Sequence, residues 1–407
     1  MISLADLNRL IADTLRAAPF TLSVEQLPLH AALGRVLAAE VRAVVALPAN
    51  NVSAMDGYAL PLTGSLNAGE RLRLVGEVAA GNLFSGSVAA GECVRIMTGA
   101  PVPPDCNTVI MQENVQRDGD AVTLTAAARS GSHVRYAGEE VACGDLLLSA
   151  GKVLSAADIM LLASQGIGSV DVFRKPRVAI FSSGDELLEA GQAVTNASQI
   201  YDCNRPMLRA KLAAFPVEIM DLGIIPDCPA TTLNILREAG ETADIVMSSG
   251  GVSVGDYDFL KEALQQLGTV HQHKVAMKPG KPFLFGQLGQ AFYFGLPGNP
   301  VAGFVGFDMI VKAALWQLCG AAPRPRLQFQ AALDEEISRH GTRLEVRRAV
   351  LEQDEDGALC ITSSGKQDSH RILGTARANA YYIVPSESAQ LFAGEKVTVI
   401  PFAETFL

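Results

Sequence analysis

The chain has 407 residues, enough for two or three domains and for a large core that needs no disulfide or metal staples. Its 43 acidic residues outnumber 33 basic ones, and the formal charge of −10 disfavours nucleic-acid phosphate backbones and anionic membranes as partners. Hydrophobic content of 49% with 19% charged residues excludes large-scale disorder. The seven cysteines are scattered without a C-x-x-C pair, so no zinc site or disulfide framework is expected. No basic stretch followed by an apolar run opens the chain, and a cytoplasmic location is the expectation.

In chain order, Leu4, Leu7, Leu10, Ile11 and Leu15 recur at helical spacing behind Ser3 as N-cap, and a second helix is expected over His30–Val41. From Ala46 to Leu146 short apolar runs such as Arg71–Val78, Val94–Met97, Val109–Met111 and Ala121–Thr125 alternate with Gly, Pro and Asn, the texture of a β-rich insertion. A helix over Ser155–Gln165 follows. From Lys175 to Leu318 strands (Val178–Phe181, Val217–Leu222, Ile245–Met247, Phe292–Phe294) alternate with helices (Asn204–Ala214, Pro229–Glu241, Phe259–Leu267, and one from Pro300), which predicts a parallel sheet covered by helices. The Pro300–Cys319 stretch carries Asp308 and Lys312 and reads as a buried helix rather than a membrane span. Beyond Pro323 strands return, with a hairpin turn at Asp354–Gly357 and a last strand at Lys396–Ile400, predicting a C-terminal β-barrel or sandwich.

Ligands of a parallel α/β sheet bind beyond the carboxyl ends of its strands. Four loops lie there: Ser182–Glu186, the segment at Asp227, Ser248–Asp258 and Gly295–Pro300. Glycine turns backbone N–H groups toward a ligand and a helix N-terminus adds positive dipole. Ser248, Ser249, Gly250, Gly251 and Ser253, and likewise Pro297, Gly298, Asn299 and Pro300, are therefore read as phosphate or oxyanion cradles. Neither a G-x-G-x-x-G fingerprint nor a P-loop is present, which removes support for nicotinamide chemistry and P-loop phosphoryl transfer. Glu186, Asp227 and Asp258 share this edge with Lys278 and Lys281; carboxylates beside an oxyanion pocket call for a hard cation, so Mg2+ held by those three is implied. His271 and His273 read as ordinary polar strand residues.

Six ordered strings, SAMDGYA (53–59), RIMTGAPVP (95–103), SSGDEL (182–187), SSGGVSVGDYD (248–258), KPGKPF (278–283) and GLPGNPVA (295–302), resemble the MoeA/gephyrin E-domain family, the molybdopterin molybdenumtransferases. The resemblance implies a multidomain α/β-plus-β protein with a Rossmann-like molybdopterin-binding domain, a β-rich domain and a C-terminal β-barrel. On that pattern 25–45 with 147–173 form an elongated linker domain, 46–146 the β-rich domain, 1–24 with 174–323 the α/β domain and 324–407 the barrel. It also implies a homodimer that inserts molybdate into adenylylated molybdopterin with Mg2+ and releases AMP, receiving its substrate from an adenylyltransferase. Catalytic roles are implied for Asp56, Thr98, Glu140, Glu186 and Asp258, with the first three facing the α/β loops of the other subunit. Arg348 and Ser369 of the barrel are implied to border the pocket.

Two departures stand out. The R-x-x-G-x-D motif reads Arg135–Glu140 with Glu140 where Asp is usual and Ala137 where Arg is usual, so a carboxylate is displaced by a methylene and a guanidinium lost. Cys203 occupies a position where the family favours Ser or Thr. Two other readings stay open: a molybdopterin adenylyltransferase, disfavoured by the length of the chain, and a gephyrin-like binding or scaffold protein.

Overall fold

The computed structural model describes residues 1–79, 81–251, 259–338 and 341–402. Helix α1 (Leu4–Ala17) begins where Ser3 Oγ accepts the Asp6 N–H, and its buried stripe of Leu7, Ile11 and Leu15 joins the core of the α/β sheet far along the chain. Strand Val24–Pro28 then pairs antiparallel with Ser169–Phe173, so everything between them leaves and returns at one place. The helix expected over His30–Val41 does not form. A single 3-10 turn, Leu29–Ala31, gives way to isolated bridges from Val36 to Val153 and from Leu37 to Val172. Gly34, at φ +73°, turns the chain out of helical geometry, and Ala32 and Leu37 bury against Leu148, Leu154 and Leu162 instead. Helix α2 (Ala156–Ser164) packs on that turn and opens with a capping box between Ser155 and Asp158.

The β-rich excursion carries a six-stranded sheet in which Gly57–Leu60 lies between Thr108–Met111 and Glu92–Ile96. Its two faces bury separate clusters, one around Tyr58, Leu60 and Val122, the other around Ala59, Val94 and Val109. Gly57 is obligatory by contact: a Cβ there would lie 2.0 Å from the Ile110 carbonyl oxygen.

The α/β sheet is built from β1 (Arg177–Ser183), β2 (Glu218–Ile225), β3 (Ile245–Ser249), β4 (Gly268–Lys274), β5 (Pro282–Leu288) and β6 (Ala291–Leu296), in the order β2-β1-β3-β6-β5-β4. The first four of that order run parallel, while β5 runs antiparallel to both its neighbours, β6 and β4, so the sheet is mixed rather than purely parallel. Alternation along β1 sends Val178 and Ile180 toward α1, α3 (Asn204–Leu212) and α6 (Pro300–Gly306), and Ala179 and Phe181 toward α4 (Pro229–Thr242) and α5 (Phe259–Leu267). α6 runs through one π turn, Phe307–Val311, into α7 (Lys312–Leu318), and this apolar stretch lies mostly buried in the core. Inside it Asp308 accepts from Lys211 of α3 at 2.9 Å and from the Tyr381 hydroxyl of the C-terminal region at 2.7 Å, tying the two bodies together.

In the C-terminal region Leu344–Gln353, Leu359–Ser363, Phe329–Leu333, Lys396–Pro401 and Ala380–Val384 pair in a closed circuit, a small barrel. The Asp354–Gly357 turn joins its first two strands as expected. A short strand from the α/β body, Met277–Lys278, adds in parallel to Leu344–Glu345 at the barrel's edge. The next residues, from Pro282, return to the α/β sheet as β5, so the Lys278–Lys281 turn belongs to both bodies at once. A last helix, α8 (Ile372–Arg377), caps the barrel beside α6.

Candidate active site

A cleft of about 740 Å³ opens beyond the carboxyl ends of β1, β3 and β6. Its floor is backbone. Gly250 holds φ +94°, and a Cβ there would sit 3.0 Å from the Ser183 carbonyl oxygen, so only glycine lets the β3 loop close on β1. Gly250 N–H donates to the Leu296 carbonyl, and the Asn204 amide donates to the Gly298 carbonyl at 2.7 Å, locking the β6 loop onto the start of α3. Asn299 takes the N-cap position of α6 with Pro300 first in the helix, although the Asn299 side chain makes no capping bond.

Of the residues expected from sequence, Glu186, Ser249, Gly250, Gly251, Lys278, Lys281, Pro297, Gly298, Asn299 and Ser369 line this one cleft. Pro300 stands just behind that wall as the first residue of α6. Ser253 and Asp258 lie outside the described residues. Two assignments are corrected. Ser248 is fully buried and its hydroxyl shares a 2.5 Å hydrogen bond with the Tyr293 hydroxyl, on the sheet face that packs against α4 and α5. Arg348 is 1% exposed, and its guanidinium donates to the carbonyls of Lys366, Asp368 and Arg371 and to the Thr375 hydroxyl at 2.9–3.3 Å. It builds the 366–371 loop, whose Gln367, Asp368, Ser369 and His370 line the cleft, and does not line it itself.

Asp227 lies beside Asp185, whose carboxylate accepts its N–H at 2.9 Å. Partial burial, reinforced by the like charges of Asp185 and Glu186, pushes the Asp227 carboxyl above its usual range. Among the described residues no three potential ligand groups converge on one point, so the structure itself assembles no complete metal cage. Glu186 and Asp227 are nonetheless hard oxygen donors that feel one another's charge, a donor set suited to a divalent cation completed by substrate oxygens and water. On the basic side, Lys278 pairs with Glu345 at 3.3 Å and Arg347 pairs with the same carboxylate at 2.8 Å. Burial alone would raise Glu345; these two cations overcome it and hold the carboxyl below its usual range.

The β-rich residues stand apart from the cleft of their own chain. Pairing of Gly57 with Ile96 brings Asp56 and Thr98 together at one end of the sheet. The Thr98 N–H and hydroxyl both donate to Asp56 Oδ1 at 2.7 Å, and these bonds, backbone first, depress the carboxyl of the half-buried Asp56. Glu140 is also exposed, its N–H bonded to the Leu47 carbonyl.

Cleft residues that sequence reading did not single out include Ser183, Asn204, Arg343 and His370. Ser183 and His370 flank residues that were named, and Asn204 sits at a helix start, so a local signal existed for them. Arg343 has none, since it precedes a barrel strand remote in sequence from every loop of the α/β sheet. Cys203 takes the N-cap position of α3 without a side-chain cap bond, and burial, then Asp202, pushes its thiol up.

The sequence matches three family models in order: the MoeA N-terminal region, domains I and II, over residues 2–166, a probable molybdopterin-binding domain over 179–317, and the MoeA C-terminal region, domain IV, over 330–402. A molybdopterin molybdenumtransferase of Haemophilus influenzae is 36% identical over 398 residues, covering 97% of this chain and 98% of its own. One from a Nostoc species is 33% identical over 409 residues, covering 98% and 94%. The crystal structure of a molybdopterin biosynthesis MoeA protein from Pyrococcus horikoshii superposes with a TM-score of 0.84 at 28% identity, covering 99% of this chain and all of that one. With matched models along nearly its whole length and relatives above 30% identity end to end, the chain belongs to the MoeA family.

Proposed function

We propose that the protein is a molybdenum insertase of molybdenum cofactor biosynthesis, converting adenylylated molybdopterin and molybdate to the molybdenum-loaded cofactor and AMP. Relatives named molybdopterin molybdenumtransferase over the full length support this reading. The observation that carries it is the cleft: glycine-lined loops at the ends of β3 and β6 face a lysine-bearing turn shared by the α/β sheet and the barrel. The backbone N–H of Gly251, at the turn beyond β3, suits a phosphate of the nucleotide, and Lys278 and Lys281 suit the oxyanion beside it. Mg2+, held by Glu186, Asp227 and Asp258, would neutralise phosphate charge as AMP departs. The ionised Asp56 and its partner Thr98, with Glu140, would reach the cleft of a second copy, making a homodimer with two composite sites. The protein would work in the cytoplasm, supplied by an adenylyltransferase.

The test is to incubate the purified protein with adenylylated molybdopterin, molybdate and Mg2+ and to measure AMP release and transfer of molybdenum to an apo-molybdoenzyme. Molybdate-dependent AMP release, abolished by EDTA and restored by Mg2+, is expected. ATP-dependent adenylylation of molybdopterin with no molybdate requirement would replace this reading with that of an adenylyltransferase. Unchanged AMP release in EDTA would remove the metal.

A further inference from the structure

Uptake of molybdate by a thiolate ligand consumes protons. An oxygen of the anion leaves readily only as water, so a side chain that can give up a proton near neutral pH belongs beside it. Among the described residues the ionisable side chains lining the cleft are Glu186, Lys278, Lys281, Arg343, Asp368 and His370. Of these residue types only histidine ordinarily changes charge between about pH 5 and 8. No step proposed so far uses His370.

The loop that carries it is held from two sides. From beneath, the buried Arg348 guanidinium donates to the carbonyls of Lys366, Asp368 and Arg371 at 2.9–3.3 Å, bracketing Ser369 and His370, while the Gln367 amide bonds the Arg348 backbone at both its N–H and its carbonyl. From the side, the Val301 N–H in the first turn of α6 donates to the Ser369 carbonyl at 3.2 Å. The backbone beneath His370 is thus fixed, and its imidazole stays exposed on the cleft wall. The charged groups around it are Asp368, Arg371 and Lys366 on its own loop, Lys278 and Lys281 on the shared turn, Arg343 before the barrel strand and Glu186 beyond β1; the first turn of α6 carries no charge. Asp368 pairs with Arg371 at 2.8 Å, and its carboxyl is held below the usual range by Arg371 first and by the charges of His370 and Lys366 after it, which puts His370 close to that pair.

We infer that His370 is a catalytic acid of this cleft, donating a proton from its imidazolium to the oxygen that molybdate loses. The inference rests on the insertase reading. With the dithiol of molybdopterin entering as one thiolate and one thiol, the step balances: two Mo–S bonds form, one S–H and one Mo–O bond break, and the departing oxygen takes one proton from the thiol and one from His370 to leave as water. Molybdenum stays hexavalent, and the neutral imidazole regains its proton from solvent. In this arrangement Arg348 is a positioning residue, acting through the loop that presents His370.

The rate of molybdenum insertion by the full-length protein at saturating substrate, followed against pH, tests this in wild type, His370→Gln and His370→Ala, with molybdate affinity read separately by calorimetry. His370→Gln keeps a hydrogen-bond donor but has no proton to give. It should lower the rate roughly 100-fold or more, the scale of a lost general acid, while molybdate affinity stays within about two-fold of wild type. The donor must be protonated, so the wild-type rate should fall as pH rises through the imidazole range, roughly pH 6 to 8, and His370→Gln should lack that fall. Imidazole added to the buffer should restore part of the rate to His370→Ala, an effect that a merely structural role does not produce. An unchanged rate and pH profile in His370→Gln, or a loss confined to molybdate affinity, overturns this inference and leaves the proposed function standing. No molybdate-dependent turnover by the wild type overturns both. If His370→Gln does not fold, failure of imidazole to restore His370→Ala overturns the proton donor.

Discussion

The loops of the α/β sheet and those of the β-rich excursion hold polar groups in opposite ways. At the sheet edge, residues separated by more than a hundred positions, from Ser183 to Gly298, converge on one cleft because parallel strands end together and every strand-to-helix turn opens on the same side. In the excursion, Asp56 and Thr98 are locked together by two 2.7 Å bonds, yet Thr98 is exposed, Asp56 only half-buried, and neither lines that cleft. The contrast teaches that one fold pre-organises polar groups in two ways, by convergence of distant loops on a cleft and by a local backbone cap on a single carboxylate.

The strongest way to break this comparison is complementation. Asp56→Ala and Glu186→Ala should each lower AMP release by roughly 100-fold or more, the scale of a lost electrostatic contact in a reacting site. Mixed after subunit exchange, they should recover about a quarter of wild-type activity, since about half the dimers are mixed and each of those keeps one intact site. No recovery after proven exchange would confine the site to one chain. Next in size, Arg348→Met should cost on the order of 3 kcal/mol in urea denaturation, because it removes a buried guanidinium that donates to several carbonyls of the 366–371 loop. A smaller change would mean that the loop is held by its other contacts. Gly250→Ala, forced into φ +94° against the Ser183 carbonyl, should cost roughly 1–3 kcal/mol and weaken AMP binding, whereas the same change at the open Gly64 should not touch binding.

The smallest effect is the most diagnostic. Thr98 bonds depress the Asp56 pKa, so the ionised form persists to lower pH than for an ordinary aspartate, and its contribution is lost only as pH falls through that depressed value. Thr98→Val removes the hydroxyl donor but keeps the N–H, so the pKa rises part of the way back. The acid limb of the activity profile should therefore move to higher pH with the neutral-pH rate least affected; an unmoved acid limb would remove Asp56 from that titration.

Where the helix pattern is dense and capped, as in α1 and α2, the elements stand close to their predicted places, because a buried stripe and a local cap suffice to define a helix. His30–Val41 failed for the complementary reason: its apolar residues are buried by partners more than a hundred residues away, and Gly34 turns the chain between them. The loops at strand ends were readable as cradles because glycine and helix N-termini carry their chemistry in the backbone, where sequence spacing is informative. That Arg348 is buried on loop carbonyls while Arg343 lines the cleft was not readable, since both are arginines near the start of one strand and only the pairing of Met277–Lys278 with Leu344–Glu345 decides which borders the cleft.

The sequence by itself determined the strand-to-helix alternation and the glycine-rich turns, both of which depend on residues close together in the chain. Tertiary structure alone decided that the sheet is mixed, that Ser248 is buried against Tyr293, that Arg348 is spent on carbonyls while Arg343 lines the cleft, and that Asp56 and Thr98 meet each other without lining that cleft. Those outcomes depend on which distant backbone is the neighbour, and a hydrogen bond or an ion pair satisfied across the fold removes a polar group from function without leaving any mark on the residues beside it.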